Sequence, residues 1–295
     1  MSWFKRKRKN DVFNYNDDEE MVRYDSSHSL PTDTAGVTVK QLRTVFWLNF
    51  GAFLFQTGSA LAVFFLIDNS DETKKIHLYT NYPLVGESGM PQGPNSKVAF
   101  SLNPGWLSGV FLSLSAFDHL LVCTVFRGIY EKGLSKHTNI FRWVEYIFSA
   151  SVMRILVGIL CGLNDLHTIT LQFGLTACTM IFGLVFELEN RDMRLITVKW
   201  YLYWIGFIPH LFSWLIILGY FFYSLSSSPT PPPDFVYSII VIIFVFDLTF
   251  AMVLGFQWLG KCCFRPYVNG EIAFIVLSFT SKNALAWINF FGGNR

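Results

Sequence analysis

Charge is scarce in this chain: Asp, Glu, Lys and Arg make up 15% of its 295 residues, against 52% hydrophobic and 18% aromatic. That balance excludes a soluble domain of this length. Cysteine is scarce too. Cys123, Cys161, Cys178, Cys262 and Cys263 lie in or at the ends of apolar runs, so no disulfide framework is implied. The Cys262-Cys263 pair offers a palmitoylation site or, as readily, two inert packing residues. The sequence has no nucleotide-binding loop, no cluster with metal-ligand spacing and no hydrolytic triad, which excludes a conventional enzyme, and nothing in it calls for a nucleic acid. Lysine is missing from the interiors of the apolar runs, with one exception, Lys282.

What is abundant is apolar length. A membrane span needs about 20 such residues, and seven stretches qualify: 44–67, 105–127, 138–162, 166–187, 199–224, 235–259 and 270–292. The start is not a signal peptide, because the basic run Lys5-Arg6-Lys7-Arg8-Lys9 leads into Asp17-Asp18-Glu19-Glu20 rather than an apolar core. Residues 1–38 read as a disordered cytoplasmic tail and 39–295 as a seven-helix membrane domain, so the fold class is an all-α membrane protein. Positive charge sets its direction. Seventeen Lys and Arg fall on the side of the N-terminal tail and of the second, fourth and sixth connections, and four on the other. The N-terminus is therefore expected in the cytoplasm and the C-terminus outside, which excludes the topology of G-protein-coupled receptors and of ordinary microbial rhodopsins. The first outer connection, 68–104, is too long for a simple turn. Ile76–Tyr79 and Val98–Leu102 alternate apolar and polar residues around a Pro- and Gly-rich middle, which predicts a β-ribbon over the outer mouth, leaning on the helices or on a second subunit.

An ammonium deep in a bilayer costs roughly 2.5–3.5 kcal/mol on insertion scales, so an intramembrane lysine is a candidate functional site. Lys282 lies about 18 Å into the seventh span. Desolvated, such an amine can form a Schiff base with an aldehyde; a salt-bridged or snorkelling lysine is the competing reading. Ser278 is one turn back on its face. In the third span Glu145 lies roughly 10 Å deep, with Ser149 and Met153 on its face and Arg154 turned roughly 180° away. The second span carries Asp118 and His119 roughly 13 Å deep, and Ser115 shares the face of His119. Glu187 ends the fourth span, where a solvated interfacial carboxylate is the default. The aromatic fifth span, with Trp204 as its wall candidate, fits a ligand pocket as well as ordinary packing. Asp247 reads as a lone carboxylate roughly 18 Å deep in the sixth span.

Seven spans, Ser278-x-x-x-Lys282 in the last, Arg142-Trp143-x-Glu145-Tyr146 in the third, a long first outer loop and an inverted charge pattern together resemble the heliorhodopsin family over residues 40–292. The resemblance implies all-trans-retinal held covalently on Lys282, Glu145 as the Schiff-base counterion, and Ser278, Ser115, His119, Tyr146, Ser149 and Met153 at pocket or proton-network positions. It implies a light sensor in the lipid bilayer as a homodimer. Two departures stand out: Phe53, Phe55 and Gln56 occupy a first-span stretch where many members carry histidine, and Asp247 stands where the family is usually uncharged. A light-gated proton channel using Asp118, His119, Arg142, Glu187 and Asp247 is the alternative, and a retinal-free transporter or receptor the third reading.

Overall fold

The computed structural model describes residues 21–23, 36–67, 72–191 and 197–293. Seven of its helices are long and apolar enough to cross a membrane: α1 (Val39–Leu66), α2 (Gly105–Cys123), α4 (Ile140–Leu160), α5 (Leu166–Asn190), α6 with α7 (Tyr201–Ile205 and Phe207–Ser227), α8 (Asp234–Leu259) and α9 (Tyr267–Gly293). They run alternately up and down, so one end of the bundle holds the start of α1 and the basic connections, and the other a β-ribbon. Large apolar side chains such as Leu54, Phe65, Phe212, Phe222, Val241 and Val245 are exposed on the outside. A surface of that kind has lipid as its solvent, and the chain is a multi-pass membrane protein.

Local chemistry sets the helix ends. Thr38 and Gln41 form a reciprocal capping box at the start of α1. Asn139 caps α4 by accepting from the Arg142 amide at 3.1 Å, which fixes the register in which Arg142 and Glu145 enter the bundle. Pro209 has no N–H to offer the carbonyl one turn back at Ile205, and the helix is interrupted there between α6 and α7. At the end of α8, Gly260 takes the left-handed conformation, φ 58°, that turns the chain toward α9.

Three features extend the sequence reading. Before α1, β1 (Met21–Arg23) pairs antiparallel with β2 (Gly36–Thr38), inside the stretch expected to be disordered; residues 1–20 and 24–35 of that tail lie outside the described residues. The second connection holds a short helix, α3 (Arg127–Ser135). The ribbon is longer than alternation predicted: β3 (Ile76–Val85) and β4 (Pro91–Leu102) pair through Pro83 opposite Pro94, with irregularities beside Leu78 and Pro83. In a two-stranded ribbon both strands are edges, so a proline can turn its donor-free side outward without breaking the ladder. The ribbon is tied to the connection between α4 and α5 by Tyr79 N–H to the Asn164 carbonyl at 2.8 Å and by Asn81 to Asp165 at 2.8 Å.

Two large apolar clusters hold the bundle together, and a third, around Leu78, Ile159, Leu163 and Ile169, joins the ribbon to it. Of the two large ones, one, around Trp143, Phe186, Trp258 and Phe274, lies toward the basic end; the other, around Phe111, Trp214, Ile217 and Leu285, toward the ribbon. Close approach is bought by Gly183 of α5, where an added Cβ would lie 2.1 Å from the Trp143 ring of α4. The indole therefore occupies the space that a side chain at position 183 would need.

Candidate functional site

The Lys282 side chain is 2% exposed and ends among oxygens. Its Nζ donates to both carboxylate oxygens of Glu145, at 2.8 and 3.0 Å, to Ser278 Oγ at 2.6 Å and to Ser115 Oγ at 3.2 Å. The Tyr146 ring lies 5.0 Å from the same nitrogen. Three helices meet here: α9 brings Lys282 and Ser278 on one face, α4 brings Glu145 and Tyr146, and α2 brings Ser115. Four acceptors surround an amine with three protons, and Glu145 is the only anion among them.

Beside this nitrogen opens an apolar cavity, about 1030 Å³ when the open space at its mouth is counted with it. Its walls are Trp143, Tyr146 and Met153 from α4, Phe207 from α7, Phe250 from α8 and Phe274 from α9, and its few polar contributors include Ser278, Lys282, His210 and Asp247. An apolar, aromatic slot that reaches a single amine suits an apolar aldehyde. Trp204 is corrected: it is 65% exposed on the outer surface and absent from the cavity wall, where its neighbours Tyr203 and Phe207 stand instead. Ser149 is fully buried as expected, but its hydroxyl meets no partner among the described residues.

On the basic side of Lys282 lies a second, polar chamber, smaller than the first and lined by Asn49, Asp118, His119, Tyr130, Arg142, Glu145 and Glu271 among others. His119 is paired through Nδ1 with Asn49 Oδ1 at 2.7 Å. The first-span residue facing His119 is therefore Asn49, a turn before the Phe53–Gln56 stretch singled out in the sequence. Gln56 is itself fully enclosed.

The chamber is closed by a buried ion cluster that the sequence only half disclosed. Arg142 bridges Glu187 of α5 and Glu271 of α9. Tyr267 donates to Glu187 at 2.9 Å, Asn139 N–H donates to Glu187 at 3.0 Å, and the Asn139 amide donates to Glu271 at 2.9 Å. Glu187 is thus no solvated helix end. It is fully enclosed, with Asn139 and Arg142 at the start of α4 and Tyr267 at the start of α9 against it. Glu271, Asn139 and Tyr267 were missed; the signal available was a lone glutamate one turn inside the seventh span. Removing one partner of a buried pair costs about 3–5 kcal/mol. Arg142→Leu, which strands two carboxylates, is expected to lower the unfolding free energy by at least that much, and Arg142→Lys by less, since an ammonium keeps the positive charge although it cannot fork to both acids; thermal unfolding in detergent measures both.

The midplane carboxylate is not lone either. Arg154 binds Asp247 across α4 and α8, and Trp214 Nε1 donates to the same Asp247 oxygen at 3.0 Å. The structure therefore brings Asp118, His119, Arg142 and Glu145 to one chamber, joins Glu187 to it through Arg142, and leaves Asp247 apart in the apolar cavity.

A family model for heliorhodopsin matches residues 45–293. The chain belongs to the heliorhodopsin family. No curated protein gives a match to it. Heliorhodopsins are light-sensing retinal proteins, and the match takes in α1 from residue 45, the other six membrane helices, the ribbon and both cavities of this heliorhodopsin. The donor set fits the family's chromophore, since a buried amine, a paired carboxylate and an aromatic slot are what such an aldehyde requires.

Proposed function

We propose that the chain is a photoreceptor in which Lys282 carries all-trans-retinal as a protonated Schiff base and Glu145 is its counterion. The observation that carries this reading is the Lys282–Glu145 contact at 2.8 Å at the edge of the apolar cavity. Once bound, retinal supplies visible absorption and a photoisomerisation that redirects the N–H at its linkage to the protein. Ser278 and Ser115 then hold the nitrogen's remaining polar environment, Tyr146 and Met153 confine the slot, and Glu145 keeps the buried cation paired. Behind Glu145, the polar chamber would offer Asp118, His119 and the Arg142–Glu187–Glu271 cluster as acceptors and carriers of a proton released there. Tension on that cluster reaches α4, α5 and α9 together, which gives the signal a path into helix movement.

A second reading, a light-gated passive proton channel, is favoured by the same chamber together with the ion cluster that closes it, since Asp118, Glu145 and Glu271 line the chamber and Arg142 joins Glu187 to it. The route we infer depends on Glu187; Asp247, held by Arg154 and Trp214, is a weaker candidate than Glu187. We also propose that the basic end faces the cytoplasm, from the charge asymmetry, and that the chain forms a homodimer, for which the exposed Leu84, Val85, Met90 and Phe100 of the ribbon give support. Addition of all-trans-retinal to the purified apoprotein should give a visible band, and no band would leave a retinal-free transporter or receptor. Photocurrents recorded across voltages and pH gradients then separate the two light-driven readings: a silent pigment is a sensor, a current reversing at the proton equilibrium potential is a channel, and a current running against the gradient would defeat both.

A further inference from the structure

We propose that Asp247 tunes the colour of the pigment, presenting the negative end of the Arg154–Asp247 pair to the middle of the chromophore cavity. This rests on the reading above that the cavity holds retinal on Lys282.

The geometry is asymmetric. Ile243, Phe246, Asp247, Phe250 and Leu254 form the row that α8 turns to the cavity, and Asp247 is central in it. Its side chain keeps 21% of its surface open, whereas Arg154 is 5% exposed and is not part of the wall; its helix presents Ala150 and Met153 there instead. The guanidinium sits behind, 4.6 Å from the centre of the Trp214 ring. Both Arg154 and Trp214 bind the same oxygen, Oδ2. A carboxylate with its anionic face toward an apolar slot and its cation behind the wall acts on the slot as an oriented dipole, and between apolar walls such a dipole is less screened than in water.

A residue that merely ties α4 to α8 would not need to face the cavity. The pair's placement also separates it from the counterion: Asp247 makes no hydrogen bond to Lys282, whose oxygens all come from Glu145, Ser278 and Ser115. Excitation of a protonated retinal Schiff base moves positive charge from the nitrogen out along the polyene. An anion at the nitrogen therefore raises the excitation energy, and an anion alongside the chain lowers it. Glu145 and Asp247 oppose one another in this respect, and the position of the band reports their balance.

The test uses full-length pigments reconstituted with all-trans-retinal and compared at one pH, because His210 lines the same cavity. Asp247→Asn is expected to shift the visible band to the blue, since it removes the anion and leaves Arg154 uncompensated. Arg154→Gln is expected to shift it to the red, and the double variant to lie between the two. Should Arg154→Gln fail to fold, Trp214→Phe, which removes one donor from the carboxylate while keeping the ion pair, is expected to shift to the red as well. Bands that stay in place while the melting temperature falls, or that all move in one direction, mean a purely structural pair and overturn the inference. A wild-type protein that takes up no retinal overturns the reading beneath it; pigments with unmoved bands overturn the inference alone.

Discussion

Lys282→Ala is expected to be colourless. The wild-type protein should bind all-trans-retinal with a band in the visible, and the variant, given the same retinal, should show only the near-ultraviolet absorption of free aldehyde. Lys282 is the one lysine on the cavity wall, so no second amine stands ready to replace it. The substitution also strands Glu145 without its cation, at a cost of about 3–5 kcal/mol. Loss of colour therefore has to be separated from loss of fold. The double variant Lys282→Ala/Glu145→Gln removes both charges together and should recover much of that stability while staying colourless. A visible, hydroxylamine-sensitive band in either variant would sink the assignment of Lys282.

Glu145→Gln should produce the second large effect. Among the oxygens around Lys282 Nζ only those of Glu145 carry charge, and the variant leaves a buried cation facing hydroxyls and an amide. Removing that partner costs the proton about 3–5 kcal/mol of stabilisation, on the order of a hundredfold or more in its binding equilibrium. At neutral pH the visible band should give way to a near-ultraviolet one as the nitrogen loses its proton, and acidification should restore a band to the red of the parent. A spectrophotometric pH titration measures both. If Asp247→Asn behaved this way and Glu145→Gln did not, the roles of the two acids would be exchanged, and the tuning assignment of Asp247 would fall as well.

The sequence was most informative where membrane physics is least forgiving. Seven apolar runs gave seven helices within a few residues, because a bilayer admits few other ways to satisfy a spanning backbone. Lys282 and Glu145 announced themselves because ionised groups are rare in such runs, and helix direction alone brought them to one level. Pairing between helices was less legible. Arg154 and Asp247 were each seen and never joined, since ninety-three residues separate them and a single sequence holds no record of which face of α4 meets which face of α8. Glu187 was read as solvated because its position at the end of a run says nothing of what covers that end. Trp204 went astray for a related reason: in an aromatic helix packed on one side by protein and on the other by lipid, aromatic density does not mark the side that lines a cavity. Asn139 was invisible as a site residue because a helix-capping asparagine looks the same whether or not its amide also reaches a buried glutamate.

The attachment of the ribbon has a consequence for assembly. β3 and β4 lie between the first and second spans, yet Tyr79, Thr80 and Asn81 are fastened to Asn164, His167 and Asp165, more than eighty residues further on. A chain made from its N-terminus presents the ribbon long before its mooring exists, and an isolated hairpin is marginal in water. The ribbon is therefore a late-closing part: α1 and α2 can insert and pair first, while the strands become secure only after α4 and α5 have been threaded.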